Sequence, residues 1–146
     1  MDDADAIGRL LDDFNVEYDQ DSPGPDVLAR RLRVLLADDR TFALVAGEPP
    51  FALALVTLRP NVWYDGQVAL LDELYVVPDR RDQGIGSALI ARLLDIARAR
   101  DIDLIEINVD EGDVDAQRFY ERHGFTAASW GDSTERAFVY WQELPA

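Results

Sequence analysis

The residues best placed to do chemistry lie in one run, from Leu71 to Ile90. There a β-branched and aromatic segment, Leu74-Tyr75-Val76-Val77, stops at Pro78. A charged turn follows, and Gly84-Ile85-Gly86 opens an amphipathic helix. A strand that enters a helix N-terminus through Gly-x-Gly suits phosphate. Glycine lets the backbone close on an anion, and the helix offers unpaired N–H groups at its positive end. Turns need glycine for other reasons too, so the weight falls on the order of parts. Asp72 and Glu73 stand upstream, Arg81-x-x-Gly84-x-Gly86 leads into the helix, and Phe119-Tyr120 lies on a later helix.

Arg81-Asp82-Gln83-Gly84-Ile85-Gly86 resembles the Arg/Gln-x-x-Gly-x-Gly/Ala signature of the GNAT superfamily of N-acetyltransferases. Asp115 to Phe125 resembles the second signature of that family, a short helix that carries a tyrosine and closes in Gly-Phe. The resemblance is clear from about Thr41 to Phe125. The Asp72-Glu73 pair inside Leu71–Val76 is similar to the polyamine and aminoglycoside acetylating members. The resemblance implies direct attack by the primary amine of a small molecule on the thioester of acetyl-CoA, with no metal. It further implies a diphosphate seated on the backbone of Asp82, Gln83, Gly84, Ile85, Gly86 and Ser87, with Arg81 as countercharge. The pantetheine would run along Leu74, Tyr75, Val76 and Val77, a backbone N–H within Tyr75-Val76-Val77 would face the developing oxyanion, and Asp113 and Ala116 would also lie on the cofactor.

That reaction makes demands on side chains. An alkylamine of pKa about 10.4 is neutral in roughly one molecule in 2,500 at pH 7, a handicap of about 4.6 kcal/mol, so a base or a water relay is needed. Asp72 and Glu73 stand where such carboxylates occur in the family. Adjacent strand residues point to opposite faces, so without a bulge only one of them reaches the acceptor. Glu73 is assigned as the base and Asp72 as the anchor of a cationic acceptor; a plain charge partner stays open for either. Tyr120 is assigned as general acid, since a phenol near pKa 10 can protonate a thiolate near 8.5, typically for about 10²–10⁴-fold in rate. A core tyrosine with a satisfied hydroxyl is the alternative. Two residues depart from the family pattern: Asp82 stands where glycine is common, and Asp113 where asparagine usually opens the second signature.

Hydrophobic periodicity supplies the scaffold for these groups. Ile7, Leu10, Leu11 and Phe14 predict a helix over 3–14. Val27, Leu28, Leu32, Leu35 and Leu36 predict another over 26–37, after a polar, proline-rich loop. In the family these two helices wall the acceptor pocket. Apolar runs at 41–46 and 51–58 around Gly47-Glu48-Pro49-Pro50 predict a hairpin, and 68–77 a central strand after the Asp65-Gly66 turn. Leu89, Ile90, Leu93, Leu94, Ile96 and Ala97 make the helix after the glycine turn. Residues 104–109 then form a strand parallel to the central one, because a helical crossover separates them. Val114 to His123 reads as a short helix with Gly124 at C′, and 125–130 with 135–141 as a closing antiparallel pair. The expected fold is α/β: a mixed, mostly antiparallel sheet with one parallel βαβ crossover and flanking helices, in a single domain over 1–146.

Composition narrows the function further. The net charge of −15, from 29 acidic against 14 basic residues, argues against nucleic acid as partner. The same field could draw in polycationic acceptors, or simply be a solvated acidic surface. There is no cysteine, hence no thiolate nucleophile, and the one histidine, His123, sits where it would cap carbonyls or face solvent. No run is long and apolar enough for a membrane span and the start lacks a signal pattern, so a cytoplasmic protein is expected. Trp63, Tyr64, Trp130 and Trp141 could line an aromatic acceptor pocket or serve in the core or at an interface. A homodimer is expected from the exposed ends of the final strands. The readings that compete are a peptide or protein amine as acceptor and a non-catalytic CoA-binding sensor. A Rossmann-type nucleotide module fails because several strands precede the glycine turn.

Overall fold

The computed structural model describes residues 3–127, 135 and 138–145. Two helices come first, α1 (Asp3–Glu17) and α2 (Pro25–Leu36). Three strands follow: β1 (Thr41–Ala46), β2 (Ala52–Arg59) and β3 (Gln67–Val76). A short 3-10 turn, Pro78–Arg80, leads to α3 (Ile85–Ala99), β4 (Ile102–Ile107) and α4 (Val114–Arg122). The chain divides between Ile107 and Asn108 into two compact units.

In the first unit the sheet runs β1-β2-β3-β4, antiparallel at the first two junctions and parallel at the third. The parallel junction is the expected βαβ crossover, with α3 as its helix. The apolar run of β2 is buried on both faces, as a central strand requires. Leu53 and Leu55 on one face join Tyr75 of β3 against Ala4, Ile7 and Leu10 of α1 and Leu32 of α2. The alternate residues Ala52 and Ala54 pair with Ala46 and Leu44 of β1. Those two β1 residues line a common cavity with Ile85, Ala88 and Leu89, which puts α3 over the other face. Helices α1 and α2 pack backbone to backbone: a Cβ at Gly8 would come within 2.8 Å of the Pro25 carbonyl oxygen.

The helices and strands fall within a few residues of the predicted spans, with two exceptions. First, β3 does not alternate throughout; it carries a bulge at Asp72. Second, of the expected closing strand pair the described residues, 125–127, 135 and 138–141, carry no strand, and the remainder falls on residues that are not described. Residues 128–134, 136 and 137, Trp130 among them, lie outside the described residues. Aromatic runs read as strand only on condition that a neighbouring ladder buries them, and Tyr140 and Trp141 are 91% and 82% exposed. Trp63, in the β2–β3 loop, is also exposed rather than core. No described helix is long and apolar enough to cross a membrane.

Candidate functional site

The bulge decides where the two carboxylates point. Leu55 pairs with Glu73 and Val56 with Leu71, so Asp72 has no counterpart on β2. The extra residue cancels one step of the alternation. Glu73 shares the face of Leu55, which packs toward α1 and α2. The Thr57 hydroxyl, on that same face of β2, donates to Asp72 Oδ2. Both carboxylates therefore lie on the α1–α2 face, the case that a bulge allows and an unbroken strand would not. Asp72 is exposed and Glu73 half-buried. Burial, and then the Asp72 charge beside it, push the Glu73 carboxyl above its ordinary range. Such a carboxyl accepts a proton from an ammonium more readily than an ordinary one.

Beyond the bulge, β3 loses a neighbour. Its pairing with β4 ends at Leu71↔Ile107. The Val77 N–H donates to the Phe51 carbonyl at 3.0 Å, which fixes the phase of the ladder. Tyr75 and Val77 turn their N–H groups toward β2, whereas Leu74 and Val76 turn theirs to the opposite edge. At Leu74 and Val76 that edge has no strand partner among the described residues. Of the four residues expected along a pantetheine arm, these two present donors there.

The turn between β3 and α3 has a left-handed backbone at Asp82, φ +59°, and at Gly84, φ +78°. The positive φ is the physical reason a glycine suits position 82; aspartate tolerates it better than most residues. Gly84 is the N-cap of α3 and brings no side chain to accept from the first-turn N–H groups, and no acidic residue stands in that first turn. A helix begun this way leaves donors for an acceptor outside it. Arg81, expected as countercharge, is engaged within the protein. Its Nε donates to the Val76 carbonyl at 3.0 Å and Nη2 to the Glu17 carboxylate at 2.7 Å.

The second unit contains α4. Asp113 is its N-cap, with Oδ1 accepting from the Ala116 N–H at 3.0 Å. These two residues, expected on the cofactor, thus bond to each other. The opposite end closes in a Schellman motif: Phe125 N–H donates to the Tyr120 carbonyl and Gly124 N–H to that of Glu121, both at 3.1 Å, with Gly124 at φ +89°. The Phe125 ring meets the half-buried Tyr120 ring edge-on at 5.8 Å. His123 ends the helix with its ring 4.8 Å from Phe119. Two contributors, Thr57 and Glu17, were not singled out from sequence, and Phe125 was read only as the end of a signature. Thr57 could have been found as the polar residue inside an apolar run. Glu17 shows as an acid at a helix C-terminus, and Phe125 as the apolar residue that accompanies a C′ glycine.

Comparison with known proteins places the chain in a family. The model of the acetyltransferase (GNAT) family matches residues 5–125. A crystal structure from Arthrobacter sp. FB24, provisionally described as an acetyltransferase, is 50% identical with a TM-score of 0.89, covering 97% of this chain and 90% of that one. A mycothiol acetyltransferase of Beutenbergia cavernae is 36% identical over 72 residues, 47% of this chain and 24% of the relative. Another, of Clavibacter michiganensis, is 38% identical over 104 residues, 63% of this chain and 32% of the relative. The chain thus spans about a quarter to a third of the length of these curated relatives.

Proposed function

The chain belongs to the acetyltransferase (GNAT) family, and on that premise we propose that it transfers the acetyl group of acetyl-CoA to a primary amine of a small molecule. Acetyl-CoA supplies the activated thioester. One observation carries the reading: the strand whose outer edge loses its partner at Leu71 leads, through the short turn at Pro78–Arg80, into a helix whose N-cap Gly84 offers no side-chain cap. The Val76 N–H on that edge is the donor for charge developing on the thioester oxygen, a contribution of about 2.7–4 kcal/mol for one well-aimed group. The edge at Leu74 takes the pantetheine as an added strand, and the backbone from Asp82 to Ser87 takes the diphosphate.

Glu73 receives the proton of the ammonium, and its half-buried position favours that task. Asp72, exposed at the bulge and held by Thr57, attracts the cationic end of the acceptor. Tyr120 protonates the departing sulfur, an assignment supported by its place in the family's second signature. The mycothiol acetyltransferase relatives favour a small acceptor. A panel of diamines, aminoglycosides and peptides, assayed for free CoA, tests the proposal. Turnover on small amines is expected. Turnover on peptides alone would replace the acceptor class, and CoA binding without turnover on any amine would leave a sensor.

A further inference from the structure

Three separate elements meet at the carboxylate of Glu17. It accepts from Arg81 Nη2 at 2.7 Å and from the Tyr75 hydroxyl at 2.9 Å. The same guanidinium donates through Nε to the Val76 carbonyl at 3.0 Å and lies 5.7 Å from the centre of the Tyr75 ring. The end of α1, the end of β3 and the turn before α3 are thereby tied together. Locally, Glu17 is misplaced: it is the last residue of α1, where the helix dipole disfavours an anion, and no basic residue of that last turn offsets it. Its partners are 58 and 64 residues away in sequence, so the reason for a glutamate here is tertiary. Burial works against the charged carboxylate, but Arg81 and Tyr75 hold it below its ordinary range.

We propose that Glu17 is a positioning residue: acting through Arg81, it fixes the backbone of the turn from Val77 to Gly84, and Arg81 serves there as a strut rather than as countercharge to the diphosphate. The inference rests on the diphosphate reading of that turn. Two mechanisms then predict opposite signs. If charge alone mattered, removing the Glu17 carboxylate would free Arg81 and tighten binding of anionic CoA. If the strut matters, the same change loosens the turn and weakens CoA.

Titration calorimetry with CoA on Glu17→Gln decides between them, with dissociation expected to rise about tenfold, the size of one charge-assisted hydrogen bond. Arg81→Lys, which keeps the charge but loses the forked geometry, should weaken CoA as much as Arg81→Gln does. Combining Glu17→Gln with Arg81→Gln should add little to either alone. Unchanged or tighter binding in Glu17→Gln, wild-type binding in Arg81→Lys, or additive losses would each overturn the proposal.

Amide hydrogen exchange on the ligand-free protein separates this from a failure of the CoA reading. The N–H groups of Val77, Arg80 and Arg81, which donate to the carbonyls of Phe51, Val77 and Pro78, should exchange faster in Glu17→Gln. The amides of β2 should stay protected, which also checks the fold. Unaltered exchange in the turn sinks the proposal even if CoA never binds.

Discussion

Helices α3 and α4 begin in opposite ways. At α4 the chain supplies its own acceptor, because Asp113 Oδ1 takes the Ala116 N–H and Asp115 adds a second anion to the first turn. At α3 the N-cap is Gly84, with no side-chain acceptor and no acid in the first turn. A capping side chain is worth about 1 kcal/mol, so α3 forgoes stability that α4 takes. The difference teaches where to look for a ligand: a helix end that satisfies itself is finished, and one that stays open awaits an acceptor from outside. Glu73 belongs with the open end, since its charge sits half-buried without an arginine to match it among the interactions that shift it.

On the proposed reading α4 acts through its body rather than its N-terminus, and the largest effect tests that. Tyr120→Phe should lower kcat by about 10²–10⁴-fold while CoA binds as before. Steady-state rates beside calorimetry read both, and a parallel loss of affinity would make Tyr120 a binding residue instead of an acid. Next in size comes the transplant of α4's solution onto α3. Gly84→Asp has space, since a Cβ there meets nothing within 4 Å, but at φ +78° a side chain strains the backbone, so the neutral Gly84→Asn serves as its control. One uncompensated charge at the open end should weaken CoA on the order of 100-fold, and a change below about threefold would place the diphosphate elsewhere.

Removing α4's cap is milder. Asp113→Ala should cost about 1 kcal/mol in urea unfolding while Asp113→Asn stays near wild type; equal losses would show that capping is not what Asp113 does. Smallest is the stability effect of Glu73→Gln. The folded-state pKa of Glu73 lies above its unfolded value. Its contribution to stability is therefore present below the unfolded pKa and is lost as pH rises through the folded one. At about pH 7 the glutamine variant should melt higher than wild type, a gain that shrinks toward about pH 4, even as turnover collapses. A lower midpoint at neutral pH would mean that the ionised carboxylate has a stabilising partner.

Local chemistry made much of this legible in advance. Pro78, Gly84 and Gly124 mark element ends because each restricts or frees its own backbone, and the helices follow from apolar spacing. The bulge was not legible: Leu70-Leu71-Asp72-Glu73-Leu74 fits an unbroken strand as well as a bulged one, and only the register against β2 distinguishes them. The Arg81–Glu17 pair was hidden because nothing local links residues 64 apart. At the C-terminal side, aromatic residues suggested strands, but period and composition say nothing about whether a ladder neighbour exists.

The stretch of β3 at Leu74 and Val76, which has no strand partner among the described residues, has a cost beyond catalysis. Outward-facing peptide groups accept any extended segment that fits, whether a pantetheine arm or the backbone of a stray polypeptide. On the proposed reading a bound acetyl donor would cover this seam, and its absence would leave the strand edge open to such pairing.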